Sequence, residues 1–210
     1  MGDDTGACTA IPAAAAGDGT YYTADGTGNC SFDASPDDLM VAAMNATDYA
    51  NAAWCGACVA VTGPNGNVTV RVVDQCPGCQ QGDLDLSPQA FQQIAALSAG
   101  RVKITWHEVD CAVTGPIGYR FKEGSNAFWT AIQIRNARYP IAKLEARDDG
   151  GAWSEIPRED YNYFVQASGL GDGPYALRVT DARGQVLEDD ALAFAEAQTM
   201  PGATQFPSCP

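Results

Sequence analysis

Basic residues are scarce in this chain: 12 Lys and Arg stand against 26 Asp and Glu, a net charge of −14. Such a surface repels nucleic acid and anionic membranes, which excludes both as partners, and it disfavours acidic polymers such as de-esterified pectin. A neutral polymer such as a β-glucan meets no such barrier. No apolar run approaches the ~20 residues of a membrane span. There is no internal repeat and no low-complexity linker. Histidine is almost missing: His107 stands alone on an alternating stretch beside Trp106, with no second His and no Ser partner nearby in sequence, and is read as structural. No signal-peptide pattern is visible; Met1-Gly2 before Asp3-Asp4 reads as the mature start of a secreted protein given a new initiator.

Cysteine, by contrast, is plentiful. Eight in 210 residues, an even number, point to an oxidising compartment, a disulfide framework and secretion to the extracellular space. Cys55-x-x-Cys58 and Cys76-x-x-Cys79 have the spacing of a four-thiolate zinc site. With four further cysteines present, disulfides are the expected state, and no metal or cofactor is expected. The length suits two domains of about 100 residues each, or one large all-β domain. Residues 1–112 carry 3 basic and 13 acidic side chains and seven of the cysteines, residues 113–210 carry 9 and 13, so a boundary is expected near Cys111–Pro116.

The first half reads as strands and turns. Residues 57–62 and 68–73 flank Gly63-Pro64-Asn65-Gly66-Asn67, a predicted hairpin. Residues 101–106 alternate as another strand, and Ser87-Pro88 opens a helix through Ala95, with Ser as the N-cap and Pro at the first helical position. Leu39–Met44 is ambiguous between helix and buried strand. The second half carries short strands at 131–135, 144–147, 175–180 and 185–187, with turns at Asp148-Asp149-Gly150-Gly151 and Asp181-Ala182-Arg183-Gly184, the spacing of a β-sandwich. The richest stretch is Val72 to Pro88. A β-branched strand delivers Asp74, a Pro-Gly turn lies between Cys76 and Cys79, and Asp85 emerges before the helix start. Carboxylates held at the mouth of a rigid loop suit a site that grips or cleaves glycans.

Gly19-Thr20-Tyr21-Tyr22, Trp54-Cys55-Gly56-Ala57-Cys58, Val73-Asp74-Gln75-Cys76-Pro77 and Leu84-Asp85-Leu86-Ser87, in that order, resemble the first domain of expansins. Gly118 to Ser125, Phe128 to Asn136, Tyr139-Pro140 and Asp160 to Phe164 resemble the second domain of the bacterial members. The resemblance covers almost the whole chain. It implies a mainly β protein: a six-stranded double-psi β-barrel related to glycoside hydrolase family 45 at residues 8–111, then an immunoglobulin-like carbohydrate-binding β-sandwich at 116–210. It further implies a monomer that binds cellulose, related β-glucans or xyloglucan and loosens plant cell walls without hydrolysis.

Carried over by position, Asp85 matches the essential carboxylate, Asp74 its strand-end partner, and Thr20 and Tyr22 the groove floor. An aromatic residue often found two places after Asp74 is here Cys76. Phe128, Trp129 and Tyr161 match a three-aromatic cellulose platform, with Phe128 where tryptophan is usual, and Lys122 matches a basic residue beside it. The family pattern implies Cys30–Cys55 and Cys58–Cys111, leaving Cys76–Cys79 and Cys8–Cys209.

Inverting hydrolysis needs an acid and a base with water between them. The related hydrolases carry their base just after the Thr-x-Tyr, where this chain has Ala24; Asp25 is one residue away and enters only if a bulge or turn intervenes. One carboxylate without its base fits non-hydrolytic action. The alternatives are a weak endoglucanase, a peptidoglycan lytic transglycosylase on the same barrel, or a pure binding module. Trp153, Phe164 and Tyr175 are expected in the sandwich core. Phe128 and Trp129 would face opposite sides on one strand, so a shared platform needs a turn there, and Gly124-Ser125-Asn126-Ala127 supplies one. Asn29, Asn45 and Asn67 begin glycosylation-pattern tripeptides whose use is not expected.

Overall fold

A computed structural model describes residues 8–9, 14–147 and 151–209. They form two compact units: one comprises 14–111 together with Asp160–Asn162, the other Cys8 and Thr9 with 112–147, 151–159 and 163–209. Two short segments therefore pack away from their neighbours in sequence. Cys8 is joined to Cys209, and Thr9 donates its backbone N–H to the Arg183 carbonyl. The Asp148-Asp149-Gly150 part of a predicted turn lies outside the described residues.

The first unit is a closed barrel of six strands: β1 (Ala15–Tyr21), β2 (Val41–Asn45), β3 (Cys58–Gly63), β4 (Gly66–Cys76), β5 (Leu84–Leu86) and β6 (Val102–Val109), ordered β1-β5-β2-β4-β3-β6. The hairpin between β3 and β4 turns at Pro64-Asn65, with Gly63 paired to Gly66. Leu39–Met44 resolves as strand: β2 is buried on both faces, which explains an apolar run without alternation. Ala42, Met44, Val59, Val61, Val70, Val72, Leu84, Leu86, Ile104 and Trp106 turn inward around one core.

Two helices close the barrel, α1 (Ala46–Tyr49) and α2 (Pro88–Ile94). Ser87 caps α2 by accepting the Ala90 N–H at 3.0 Å, and Pro88 occupies the first turn where no N–H is needed. That cap fixes the chain one residue after β5. Gly17 and Gly82 meet back to back: a Cβ on Gly17 would lie 2.4 Å from the Gly82 carbonyl carbon.

The second unit packs two four-stranded sheets. One runs β10-β9-β12-β13, with β9 Ile141–Arg147, β10 Trp153–Glu155, β12 Tyr175–Asp181 and β13 Val186–Leu192. The other runs β11-β8-β7-β14, with β7 Gly118–Phe121, β8 Thr130–Arg135, β11 Phe164–Gln166 and β14 Thr199–Pro201. Tyr119, Phe121, Ile132, Leu144, Phe164, Tyr175, Leu177, Val179 and Phe206 fill the space between them. Trp153 is a correction to the expected core. It stands on edge strand β10, half-exposed, with the Arg178 guanidinium 4.2 Å and the Arg147 guanidinium 5.0 Å from its ring centroid. Its strand partner Arg147 faces outward, so the register places the indole on the solvent side.

Disulfides Cys30–Cys55, Cys58–Cys111 and Cys76–Cys79 lie within the barrel unit, and Cys8–Cys209 within the sandwich unit. Among the described residues no helix is long and apolar enough to cross a membrane, and no three His, Cys, Asp or Glu side chains are grouped to hold a metal ion.

Candidate functional site

The candidate residues of the barrel come together through strand register. Thr20 pairs with Asp85 across the parallel β1–β5 contact, Asp85 with Ala43 across β5–β2, and Ala43 with Asp74 across β2–β4. Residues opposite one another in a sheet share a face, so Thr20, Asp85, Ala43 and Asp74 form one row on the outside of the barrel. Asp85 and Asp74 are two strand spacings apart, roughly 9–10 Å between Cα atoms. Tyr22, two residues after Thr20, continues the register through its N–H to the Leu86 carbonyl.

Asp74 reaches this face only through a bulge that alternation alone did not signal. Val70 and Val72 point into the core, and simple alternation would send Asp74 inward as well. The β2–β4 pairing slips between Ala42–Val72 and Ala43–Asp74, leaving Val73 as the extra residue and turning Asp74 outward. The carboxylate is then pinned. Its Oδ1 accepts the backbone N–H groups of Asn29 at 2.6 Å and Gln75 at 2.8 Å. Gly28 is what lets the 28–30 turn approach: a Cβ there would lie 2.4 Å from the Asp74 Cβ and 2.7 Å from the Val73 oxygen. Gly28→Ala should therefore cost about 1–3 kcal/mol of stability by overpacking and displace Asp74. Urea unfolding checks the first effect, and an unchanged midpoint would contradict it.

Asp85 sits in the three-residue strand β5, half-buried. Thr20 donates its hydroxyl to Asp85 Oδ1 at 2.5 Å. Burial pushes the Asp85 carboxyl above the ordinary carboxylate range, against the Thr20 hydrogen bond and the Arg101 charge, and Asp74 adds to the rise. The loop before β5 is tied down at several points. Besides the Cys76–Cys79 bridge, Asp83 accepts the N–H groups of Asp18 and Gln80, and Asp48 accepts that of Gly82.

The Tyr22 hydroxyl is buried and has no hydrogen-bond partner among the described residues. Burial, then the charges of Asp74, Asp85 and Asp25, push its ionisation far up, so the phenol keeps its proton and is available only as a neutral donor or acceptor. Asp25 is not poised as a base. β1 has ended before it, and its exposed carboxylate accepts both the N–H (2.9 Å) and the hydroxyl (2.6 Å) of Thr27 in a local turn, which holds it below the ordinary range.

In the sandwich unit Phe128 and Trp129 occupy a tight turn just before β8. Asn126 Oδ1 accepts the Phe128 N–H, and Asn126 and Trp129 exchange backbone hydrogen bonds. The 169–171 segment braces the turn: Gly171 donates to the Ala127 carbonyl, and a Cβ on Gly169 would lie 2.0 Å from that same oxygen. The result leaves Phe128 82% exposed and Trp129 half-exposed. Lys122 Nζ stands 5.5 Å from the centroid of the Tyr163 ring. Tyr161, half-exposed, belongs to the barrel unit, where the Tyr49 hydroxyl and the Asn29 amide donate to the Asp160 carbonyl and the Asn162 amide donates to the Cys30 carbonyl. These contacts engage the Asn29 side chain, and Asn45 is fully buried as the cap of α1.

Residues 14–106 match the family model described as lytic transglycolase. The chain is 40% identical over 197 residues to Expansin-YoaJ of Bacillus subtilis, covering 89% of this chain and 84% of that protein. It is 29% identical over 201 residues to Expansin-like protein 5 of Dictyostelium discoideum, covering 90% and 84%. Crystal structures of Clavibacter michiganensis expansin, one without ligand and one an Asp-to-Asn variant in complex with cellohexaose, superpose with a TM-score of 0.86 at 35% and 34% identity, each covering 94% of this chain and all of the other. With its barrel and sandwich both matched over nearly their full length, the chain belongs to the expansin family, alongside its bacterial members.

Proposed function

We propose that this expansin is secreted, acts as a monomer, binds cellulose and related β-glucans or xyloglucan, and loosens wall polysaccharide networks without cutting them. The observation that carries this reading is the division of labour in the outer row. Asp85 is a carboxyl biased by burial toward its protonated form, with Oδ1 taken by Thr20 and Oδ2 left to donate to a sugar hydroxyl or glycosidic oxygen. Asp74 is tied through Oδ1 to the 28–30 turn and the exposed Asp25 to Thr27, so neither of these two described carboxylates is held as a free water-activating base opposite Asp85. A lone acid supplies ~10²–10⁴-fold, short of the ~10⁶-fold or more typical of enzymes. Phe128 and Trp129 of the sandwich unit would stack on the flat faces of glucose units, where aromatic area gives affinity without charge, with Lys122 of the same unit as a hydrogen-bond donor, and Tyr161 of the barrel unit would offer a ring of its own. A relative crystallised with cellohexaose supports this ligand class.

The match of the barrel to a lytic transglycolase family model favours one second reading, cleavage of peptidoglycan by a single acid. The two separate in one experiment. Weakening of cellulose paper and creep of heat-killed plant walls are followed while the supernatant is searched for new reducing ends and anhydro sugars, with peptidoglycan run in parallel. Mechanical weakening with no released saccharide is expected, and it should decline as pH rises through the elevated Asp85 value. Anhydro-muropeptide release would establish the second reading.

A further inference from the structure

The outer row does not end at Thr20. Asp18 pairs with Lys103 and Gly19 with Val102, where the antiparallel β1–β6 contact ends; carried one residue further, the same register sets Arg101, just before β6, opposite Thr20. The row therefore reads Arg101, Thr20, Asp85, Ala43, Asp74. Arg101 is tethered at that end, its Nη1 donating to Asp18 Oδ2 at 3.1 Å, while Lys103 Nζ lies 2.5 Å from the other oxygen. One carboxylate thus serves two cations and leaves a positive charge over, in a segment with only 3 basic groups against 13 acidic. Both cations hold Asp18 below the ordinary carboxylate range, so the tether persists through the interval in which Asp85 titrates.

The groups facing Asp85 can be named element by element. From β1 and the residues after it come Thr20 and Tyr22; from β4 comes Asp74; β2 contributes only Ala43; the residue just before β6 is Arg101, with Lys103 and Asp18 behind it. Asp25 reaches the cluster through its effect on Tyr22. Burial raises Asp85, Thr20 and then Arg101 oppose that rise, and Asp74 adds to it. Arg101 is the only cation among them that acts on Asp85.

We propose that Arg101, tethered by Asp18 at the end of this row, is a positioning residue for Asp85, setting the pH range over which the carboxyl can donate to a bound glycan. The proposal rests on the assignment of Asp85 above and extends it to a residue outside the matched motifs. Arg101 touches no substrate in this role; it works through the field across Thr20. Its side chain is 61% exposed, so the effect must also be sensitive to salt, since the screening length falls to ~3 Å at 1 M.

The test compares Arg101→Gln with Arg101→Lys, chosen because an exposed site tolerates both. The Asp85 side-chain carboxyl is titrated by carbon NMR in low and high salt, and paper weakening is measured across the same pH range. Arg101→Gln should shift the Asp85 midpoint upward and carry the falling limb of activity upward with it, Arg101→Lys should restore most of the parent value, and 1 M NaCl should move the parent toward the glutamine variant while leaving that variant nearly unchanged. An Asp85 midpoint that is the same in the glutamine variant and the parent, or displaced equally by Gln and Lys, overturns the proposal. The NMR arm needs no activity. If Asp85→Asn kept full activity while Arg101 still governed the titration, the functional reading would fail and the electrostatic link would stand.

Discussion

Asp85→Asn should abolish paper weakening and wall creep, to below about 5% of the parent, while cellulose binding stays within about twofold. The substitution keeps the volume and keeps an oxygen to accept the Thr20 hydroxyl, but replaces the carboxylic O–H with an amide N–H, a weaker donor in an altered geometry. The fold should not suffer. A carboxyl raised by burial contributes stability that is fully present below its unfolded-state value and is lost as pH rises through the folded value. Asparagine has no such titration, so at neutral pH the variant should be at least as stable as the parent, and the difference should vanish at low pH. Thermal melts at pH 3 and pH 7 check that sign. A variant as active as the parent in the creep assay would contradict the role given to Asp85, and one that fails to melt cooperatively would show that the carboxyl is structural.

The parts of this site that were legible in the sequence are those governed by local chemistry. Ser87-Pro88 announces a helix start because a side-chain oxygen followed by a residue without an N–H can do little else there. Gly63 to Asn67 between alternating runs fixes the hairpin, and that hairpin carries β4 to Asp74. The family motifs placed Asp85 and Thr20, and the 2.5 Å hydrogen bond between them follows from a parallel pairing of strands 65 residues apart in sequence. What was not legible depends on partners far along the chain. The bulge at Val73 exists only relative to β2, so nothing in Val72-Val73-Asp74 distinguishes it from regular alternation. Arg101 looks like the start of an ordinary strand until β1 is laid beside it. Trp153 was expected inside because it is large and apolar, yet its edge strand aims it at two guanidiniums whose planar faces make an outward tryptophan tolerable. Leu39 to Met44 carried no alternation because both faces of β2 are covered, and a run of that length has no period to read.

Phe128→Ala should weaken binding to crystalline cellulose by about 2–3 kcal/mol, roughly 30- to 150-fold, the range expected when an exposed aromatic anchor loses its contact area. Phe128 is the cleaner probe of the pair. At 82% exposure its removal should leave the unfolding midpoint within experimental error, whereas Trp129 is half-exposed and buries part of its ring, so Trp129→Ala combines lost binding with lost stability. Phe128→Trp should act in the opposite sense, because a larger ring on the same braced turn offers more area to a glucose face. The turn itself offers an independent handle. Gly169→Ala forces its Cβ toward the Ala127 carbonyl and the Phe128 Cα, at 2.0 and 2.5 Å, so it should reproduce the binding loss of Phe128→Ala while both rings remain present. Pull-down isotherms on microcrystalline cellulose distinguish the cases. Full affinity in Phe128→Ala would remove this residue from the proposed platform, and full affinity in Gly169→Ala would mean that the ring need not be held by its turn.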